Sequence, residues 1–251
     1  MLKVRIKFRK YGFMKFIGHL DVMRYFQKAM RRAEIPIEYT GGYSPHMIMS
    51  FAQPLGVGVT SDGEYLDIEL KEPISSEKAV EQLNRTMVEG MEVVSFREIP
   101  DDKKSSGMTI VAVASYRVTL LESRKTSEIT KALPEEWQER VEAFMAQPEI
   151  VVMKKTKRSE KEVDIKPMIY QMEVLTGKAG QNSDSIYLFL ATGSEQNLKP
   201  DLVMEAFLAF IGIEDEEVPM HYHRLEVYAK NHMSQGSDPF ISLEDLGNEI
   251  R

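Results

Sequence analysis

A histidine at the predicted start of a helix is the first candidate for chemistry in this sequence. His19 follows Gly18, and Asp21 stands where a carboxylate can interact with the free N–H groups of a first helical turn. Because the N-terminus of a helix attracts anions such as phosphate, His19 would lie beside a phosphate-binding position. An ordinary capped surface helix would show the same residues, and the sequence leaves this alternative open.

Basic residues follow His19 at helical spacing. Steps of three and four place them on one face of the helix, opposite its apolar face. The members of this basic stripe are Arg24, Lys28, Arg31 and Arg32. Together with Lys10 and Lys15 in the preceding loop, they predict phosphate contacts with a nucleic acid. Solvated surface arginines are the simpler interpretation.

A loop rich in turn-forming residues supplies the second candidate site. It contains Gly41, Gly42, Tyr43, Ser44, Pro45 and His46. Glycine lets backbone N–H groups approach a phosphate closely, and an aromatic ring can contact a base. The loop lacks the GK[ST] ending of a Walker loop, and a dinucleotide GxGxxG motif is also absent. We expect Tyr43 and His46 to contact a nucleotide, or the loop to dock a partner protein.

The charge of the chain is strongly asymmetric. Residues 1–50 carry a net charge of +7, whereas the remaining residues carry −14. A basic head on an acidic body indicates an anionic partner at one end of the protein.

Composition removes several kinds of chemistry. The chain has no cysteine, which excludes thiol catalysis, disulfides and cysteine-ligated iron–sulfur clusters. His221 and His223 would share one face of a strand, but no carboxylate stands at an obvious ligand spacing, so we predict no metal site. Asp164, beside Lys166, could act as a base or nucleophile in a pseudouridine-synthase-like reaction, but the surrounding motif is a poor match and a plain ion pair fits better.

The residues that carry these candidates need a scaffold, and the hydrophobic pattern predicts one. In the first half we predict strands at 3–9, 37–40, 65–71 and 91–99, and helices at 20–33 and from Ser75 or Ser76 to about 89. We expect the helix at 20–33 to bury Leu20, Met23, Phe26, Met30 and Ala33. This β-α-β-β-α-β order is that of the ferredoxin-like split βαβ unit.

A second pass of similar order follows a polar linker at 100–107. Its predicted strands lie at 110–121, 150–153, 163–174, 185–191 and 219–229, and its predicted helices at about 127–146 and at 200–211. We predict an α+β protein of two tandem ferredoxin-like units with antiparallel sheets, at 1–100 and 108–230, and an acidic polar tail at 231–251. In the first unit, Arg5 and Lys7 should face Asp67 and Glu69 across neighbouring strands and be neutralised by them. No apolar run approaches a membrane span, and the N-terminal residues lack a signal-peptide core, so we expect a cytoplasmic protein without membrane contact.

The sequence resembles a known family along most of residues 2–230. The matching motifs are KFRK at 7–10, FIGHLDVMR at 16–24, RRAEIP at 31–36, GYSPH at 42–46, FAQPLGVG at 51–58, EVDIKP at 162–167 and KP at 199–200. They resemble the radical SAM-associated (radical SAM-linked) protein family of unknown function, in which position 18 is commonly Ser. The resemblance implies a radical SAM enzyme as partner, which would supply the iron–sulfur cluster and S-adenosylmethionine that this chain has no ligands to hold.

From residues and resemblance together we expect an RNA-binding accessory protein. It would present a structured RNA, tRNA or rRNA, to a radical SAM RNA-modification enzyme, and it would more readily be a non-catalytic subunit than an enzyme. Two alternatives stay open. One is a metal-independent endoribonuclease with His19 or His46 as general acid or base. The other is a subunit that only docks the radical SAM enzyme.

Overall fold

A computed structural model describes residues 2–121, 134–155, 160–175, 185–213, 218–231 and 239–251. The chain forms two compact units. The first comprises residues 1–113 and 224–251, and the second comprises residues 114–223. The α+β class is confirmed.

The secondary structure elements alternate between strands and helices along most of the chain. The strands are β1 (Leu2–Lys10), β2 (Met49–Phe51), β3 (Thr60–Leu70), β4 (Met91–Ile99), β5 (Val111–Leu120), β6 (Val151–Lys155), β7 (Glu160–Asp164), β8 (Ile169–Leu175), β9 (Ser185–Ala191), β10 (Met220–Lys230), β11 (Phe240–Ser242) and β12 (Asn248–Glu249). The helices are α1 (His19–Arg32), α2 (Ser76–Asn84), α3 (Gly107–Ile110), α4 (Pro134–Met145) and α5 (Pro200–Phe210). Short 3₁₀ turns lie at Gly12–Phe16, Lys103–Ser105, Lys166–Met168 and Glu244–Leu246. No helix in the described ranges is long and apolar enough to cross a membrane.

The first unit is built on an antiparallel sheet with β1 near its centre. Its strands follow the order β12-β4-β1-β3-β10, with β2 also paired to β3 and β11 to β10. The predicted strands at 3–9, 65–71 and 91–99 are confirmed by β1, β3 and β4. Gly63 permits the approach of β10, because a Cβ atom there would lie 2.8 Å from the Cα of Glu226.

One face of β1 packs against α1. Val4, Ile6 and Phe8 alternate toward this face and are at most 1% exposed, and the ring centroids of Phe8 and Phe26 lie 4.6 Å apart. This apolar contact explains why α1 forms at 19–32, since burial of an amphipathic face contributes more to a helix in a protein than propensity does. The predicted burial of Leu20 is wrong, because that side chain is 60% exposed.

The opposite face of β1 is covered by the segment that the sequence marks as a linker. Arg5 is 2% exposed and donates to both carboxylate oxygens of Asp67, at 2.8 and 2.9 Å. It also donates to the Ser105 carbonyl oxygen at 2.8 Å, and the Gly107 N–H donates to Asp67 at 2.7 Å. The predicted neutralisation of Arg5 by Asp67 is therefore confirmed, whereas Lys7 donates to Glu226 and Glu244 and not to Asp67 or Glu69. Residues 100–107 are held against the sheet.

The predicted tail also takes part in the first unit. β11 pairs with β10, and Asn248 and Glu249 of β12 pair with β4. Leu243 is fully buried. This placement differs from the acidic tail at 231–251 that composition favours, because a few apolar residues, spaced among acidic ones, suffice to dock the segment. Residues 232–238 lie outside the described part of the chain.

The second unit contains β8 paired antiparallel with β9 and a separate two-stranded sheet of β6 and β7. Trp137 of α4 packs on Phe207 of α5, with ring centroids 5.6 Å apart. The predicted helix at about 127–146 corresponds to α4, and its residues 127–133 lie outside the described part. That both units are ferredoxin-like stays a prediction.

Two predicted elements are corrected. Residues 37–40 form only isolated bridges, Ile37 with Leu70 and Tyr39 with Met47, and the second strand lies instead at Met49–Phe51. The predicted continuous strand at 163–174 is divided by the 3₁₀ turn Lys166–Met168, because Pro167 cannot donate to a strand ladder.

Candidate functional site

The basic stripe lies on the solvent face of α1. Arg24, Lys28, Arg31 and Arg32 are all exposed. Arg24 donates to Asp21 at 3.1 Å, so Asp21 pairs with a stripe residue and does not cap the helix. The other three stripe residues have no carboxylate within 4 Å in the described ranges. Three cations are therefore available to an external anion.

Exposed apolar side chains lie next to the start of α1. Phe13 is 88% exposed, and Phe16, Leu20 and Val57 are each at least 60% exposed. We call these four residues the apolar rim. Large apolar side chains exposed at neighbouring positions are candidates for an interaction site. The 3₁₀ turn Gly12–Phe16 shows no periodic pattern of apolar residues, so Phe13 and Phe16 could not be predicted as surface residues.

Backbone hydrogen bonds hold the apolar rim in place. The Tyr11 N–H donates to the Gly90 carbonyl oxygen at 2.9 Å, which fixes the entry to the 3₁₀ turn. The Gly58 N–H donates to the Lys15 carbonyl oxygen at 2.8 Å, and this bond brings Val57 to the turn. Lys15 itself is partly buried, with its ammonium 5.2 Å from the centroid of the Phe16 ring. Cation and aromatic ring thus form one surface.

Lys10 is not part of that surface. Its side chain is 2% exposed, and Nζ donates to the Ile17 carbonyl oxygen at 2.7 Å. The prediction that Lys10 lies in an exposed loop is therefore wrong, whereas its contact with RNA stays a prediction. Lys10 continues the alternation of Val4, Ile6 and Phe8, and this places it on the buried face of β1.

A small pocket opens at the start of α1, beside Lys10. It is lined by Phe8, Lys10, His19, Val22, Phe51, Pro54, Leu55 and Glu64. Its volume is about 10 Å³, which is about the space of one water-sized group. The His19 ring packs edge-on against Phe51, with centroids 5.1 Å apart. We call this space the Lys10 pocket.

The charges around the Lys10 pocket are buried. Arg224 donates from both Nε and Nη2 to Oε1 of Glu64, and Nη2 also donates to the Gln53 carbonyl oxygen at 2.7 Å. Burial, opposed by the Glu64 charge and assisted by that of Arg224, holds the pKa of Lys10 below its usual value. Glu64 and Arg224 are 160 residues apart, so no sequence pattern could have joined them.

The structure does not bring the two candidate catalytic histidines into one pocket. His46 is exposed and contacts Thr40, with Nδ1 and Oγ1 3.1 Å apart. It does not line the Lys10 pocket. Tyr43, Gly41, Gly42, Ser44 and Pro45 are also exposed, so the loop is open to a partner along its length. A shared acid–base pair of His19 and His46 finds no support in this arrangement.

The remaining candidates are explained by local structure. Oδ1 of Asp164 accepts the N–H of Ile150 at 2.9 Å and that of Lys166 at 3.0 Å, so this carboxylate stabilises a turn. The rings of His221 and His223 have centroids 6.5 Å apart. Among the described residues, no group of three metal-ligating side chains occurs.

Comparison with known proteins gives a family and one distant structural likeness. A family model described as "Uncharacterized protein conserved in bacteria (DUF2344)" matches residues 3–200. No curated protein matches the chain. A chain of "Crystal Structure of a Cbf5-Nop10-Gar1 Complex" is similar at 12% identity and a TM-score of 0.46, over 89% of this chain and 48% of that one. The chain thus spans about half the length of that neighbour, and a likeness at this level says nothing about function.

Proposed function

Since the chain belongs to this uncharacterized family conserved in bacteria, its function has to be inferred from its own site, and we propose that it is a cytoplasmic RNA-binding accessory protein. In this proposal it presents a structured RNA to a radical SAM RNA-modification enzyme. The observation that carries the proposal is the basic stripe: Lys28, Arg31 and Arg32 are exposed, and none has a carboxylate partner in the described ranges.

Electrostatics favours a phosphate backbone as the anion. Three cations within about one helical turn and a half match closely spaced charges, and RNA carries its charges at such spacing. Their Coulomb attraction is long-ranged and unpaired on the protein side, so it would steer RNA to α1. The cations of the stripe also repel one another, and without a bound anion nothing would compensate this repulsion.

The apolar rim extends the argument from phosphates to bases. Proteins that bind single-stranded segments combine a positive surface with aromatic rings on which bases stack. Phe13 and Phe16 lie exposed directly before α1, and Lys15 stands over the Phe16 ring. The arrangement therefore fits an unpaired loop or end of a structured RNA better than a continuous duplex.

The radical SAM partner rests on the resemblance of the sequence motifs. The chain has no cysteine, so any iron–sulfur cluster and S-adenosylmethionine in the reaction would belong to the partner. The resemblance supports the proposed partner, and the basic stripe supports the proposed RNA.

A second function is favoured by the exposure of the apolar rim. The same four side chains would suit a protein interface, in which case the chain would only dock the radical SAM enzyme. Salt separates the two functions, because binding through phosphates weakens steeply with salt while apolar docking does not. The test is the affinity of the purified chain for a labelled structured RNA at two salt concentrations.

A further inference from the structure

Lys10 has no acidic group at ion-pair distance, although it is buried. Its ammonium has three N–H donors, and within the described ranges the Ile17 carbonyl oxygen is its one hydrogen-bond acceptor. Glu64 lines the same pocket, but it is already engaged by the guanidinium of Arg224. A buried charge is expensive unless it is paired and hydrogen-bonded. The buried charges at the Lys10 pocket, those of Lys10, Arg224 and Glu64, therefore leave one positive charge without a negative partner.

The surroundings of the Lys10 pocket favour an anion over a neutral ligand. Helix α1 begins at His19, and its N-cap residue Gly18 contributes no side-chain hydrogen bond to the free N–H groups. The positive end of the helix dipole thus lies at the wall that also carries His19. Lys10 reaches the same wall, since its acceptor Ile17 directly precedes Gly18.

Size selects the part of the ligand that enters. A volume of about 10 Å³ admits one oxygen atom and excludes a ring or a side chain. The rest of the ligand must lie outside the pocket. A phosphate group on a nucleotide has this shape, with one oxygen inward and the rest of the nucleotide outside.

We propose that the Lys10 pocket is a phosphate subsite, in which Lys10 and His19 hold one phosphate oxygen of a bound RNA. The inference rests on the proposed function and deepens it. The basic stripe would bind successive phosphates along α1, whereas the Lys10 pocket would fix one phosphate in a set position. The phosphate is either the terminal phosphate of an RNA end or a phosphodiester in an unpaired loop.

The direct test is a titration of the whole chain with inorganic phosphate, observed at the His19 ring by NMR. The chain has five histidines, and the His19 signal is identified by its loss in His19→Gln. We expect a saturable shift of this signal in phosphate and none in chloride of equal ionic strength. The dissociation constant should rise about tenfold in Lys10→Met, the loss expected for one charge-assisted hydrogen bond, and stay unchanged in Lys78→Met, which removes an exposed charge from α2. An equal response in chloride, or an unchanged constant in folded Lys10→Met, would overturn the subsite; if Lys10→Met does not fold, the wild-type comparison of phosphate with chloride decides alone.

RNA oligonucleotides then identify the source of the phosphate. The shift of the His19 signal is measured with a 5′-phosphorylated oligonucleotide and with the same oligonucleotide lacking the phosphate. A response to the phosphorylated form alone assigns the pocket to a terminal phosphate, and equal responses assign it to a phosphodiester. If RNA binds through the basic stripe but the His19 signal does not shift, the subsite is wrong and the proposed function stands. If inorganic phosphate saturates the pocket and no RNA binds, the subsite stands as an anion site and the proposed function fails.

Discussion

The ammonium of Lys10 donates to the Ile17 carbonyl oxygen at 2.7 Å, and this bond ties the end of β1 to the start of α1. It joins the strand that forms the centre of the first unit to the helix that carries the basic stripe. Because Lys10 is buried without an acidic partner, the bond also holds a positive charge at the base of the site. Lys10 therefore both anchors the start of α1 and supplies a buried positive charge there.

Removal of the Lys10 charge should not destabilise the protein. Lys10→Met keeps the length of the side chain, removes a buried ammonium and loses one hydrogen bond, and these effects offset each other to within about 1 kcal/mol. Urea unfolding of the wild type and Lys10→Met measures the difference. A loss well beyond this range would mean that the ammonium has a structural role and is not kept for a ligand.

The pair of Glu64 and Arg224 should behave in the opposite way. Glu64→Gln removes the carboxylate that a 2% exposed guanidinium contacts, and loss of one partner of a buried ion pair costs about 3 kcal/mol. The control is Glu81→Gln, which breaks the exposed pair with Arg85 and should cost less than about 0.5 kcal/mol. Equal losses of unfolding free energy in the two variants would show that the buried pair contributes no more stability than the exposed pair.

Acid should weaken the attachment of the C-terminal segment. Lys7 donates to Glu226 at 2.7 Å and to Glu244 at 2.8 Å. Burial raises the pKa of Glu244, but hydrogen bonds from Lys7 and Ser95 and the charges of Lys7 and Arg97 outweigh it and hold the pKa below the ordinary 4.5. This carboxylate therefore contributes stability that is present above pH 4.5 and is lost as the pH falls through its lowered pKa.

The variant Glu244→Gln tests this contribution. It should be less stable than the wild type at pH 7, and the difference should shrink as the pH is lowered below 4.5, the ordinary value for this group. Unfolding in urea at pH 7 and at several acid pH values measures the difference. Parallel curves for the two proteins across this range would contradict the assignment.

Gly90 should be needed for the apolar rim. Its φ is +92°, and a Cβ atom there would lie 2.6 Å from the Tyr11 carbonyl oxygen. Gly90→Ala should therefore cost about 1–3 kcal/mol of stability and displace the turn that carries Phe13 and Phe16. The matched control is Gly41→Ala, where a Cβ atom meets nothing within 4 Å. Thermal unfolding of both variants measures the cost, and a neutral Gly90→Ala would show that this turn is not held by Gly90.

Local periodicity and cross-strand pairing were the parts of the structure that sequence could supply. Strict alternation predicted β1, and helical spacing predicted α1 to within a residue at each end. The pairing of Arg5 with Asp67 followed from the predicted order of strands. The same alternation places Lys10 on the buried face, but a lysine there contradicts composition, which favours exposed lysine. Its burial is therefore a departure from pattern of the kind found at functional sites.

The parts that sequence could not supply depend on long-range contacts. Glu64 meets Arg224 across 160 residues, and β12 adds to β4 although its own residues are polar. The exposure of Phe13 and Phe16 has no periodic signature, because a five-residue 3₁₀ turn is too short for its sequence to distinguish a buried face from an exposed one. These features depend on contacts between residues that are far apart in the sequence.

The central claim is that the basic stripe binds RNA, and fluorescence anisotropy with a labelled structured RNA over a range of salt concentrations tests it most directly. The variant is Arg31→Gln/Arg32→Gln, and the matched control is Lys78→Gln/Arg85→Gln, which removes the same charge from exposed positions on α2 and directly after its end. We predict binding that weakens steeply with salt, a loss of about tenfold in affinity in the stripe variant and a salt slope lower by about 1.5 to 2. The control should bind as the wild type does. No binding at low salt, or equal losses in both variants, would contradict RNA recognition by α1.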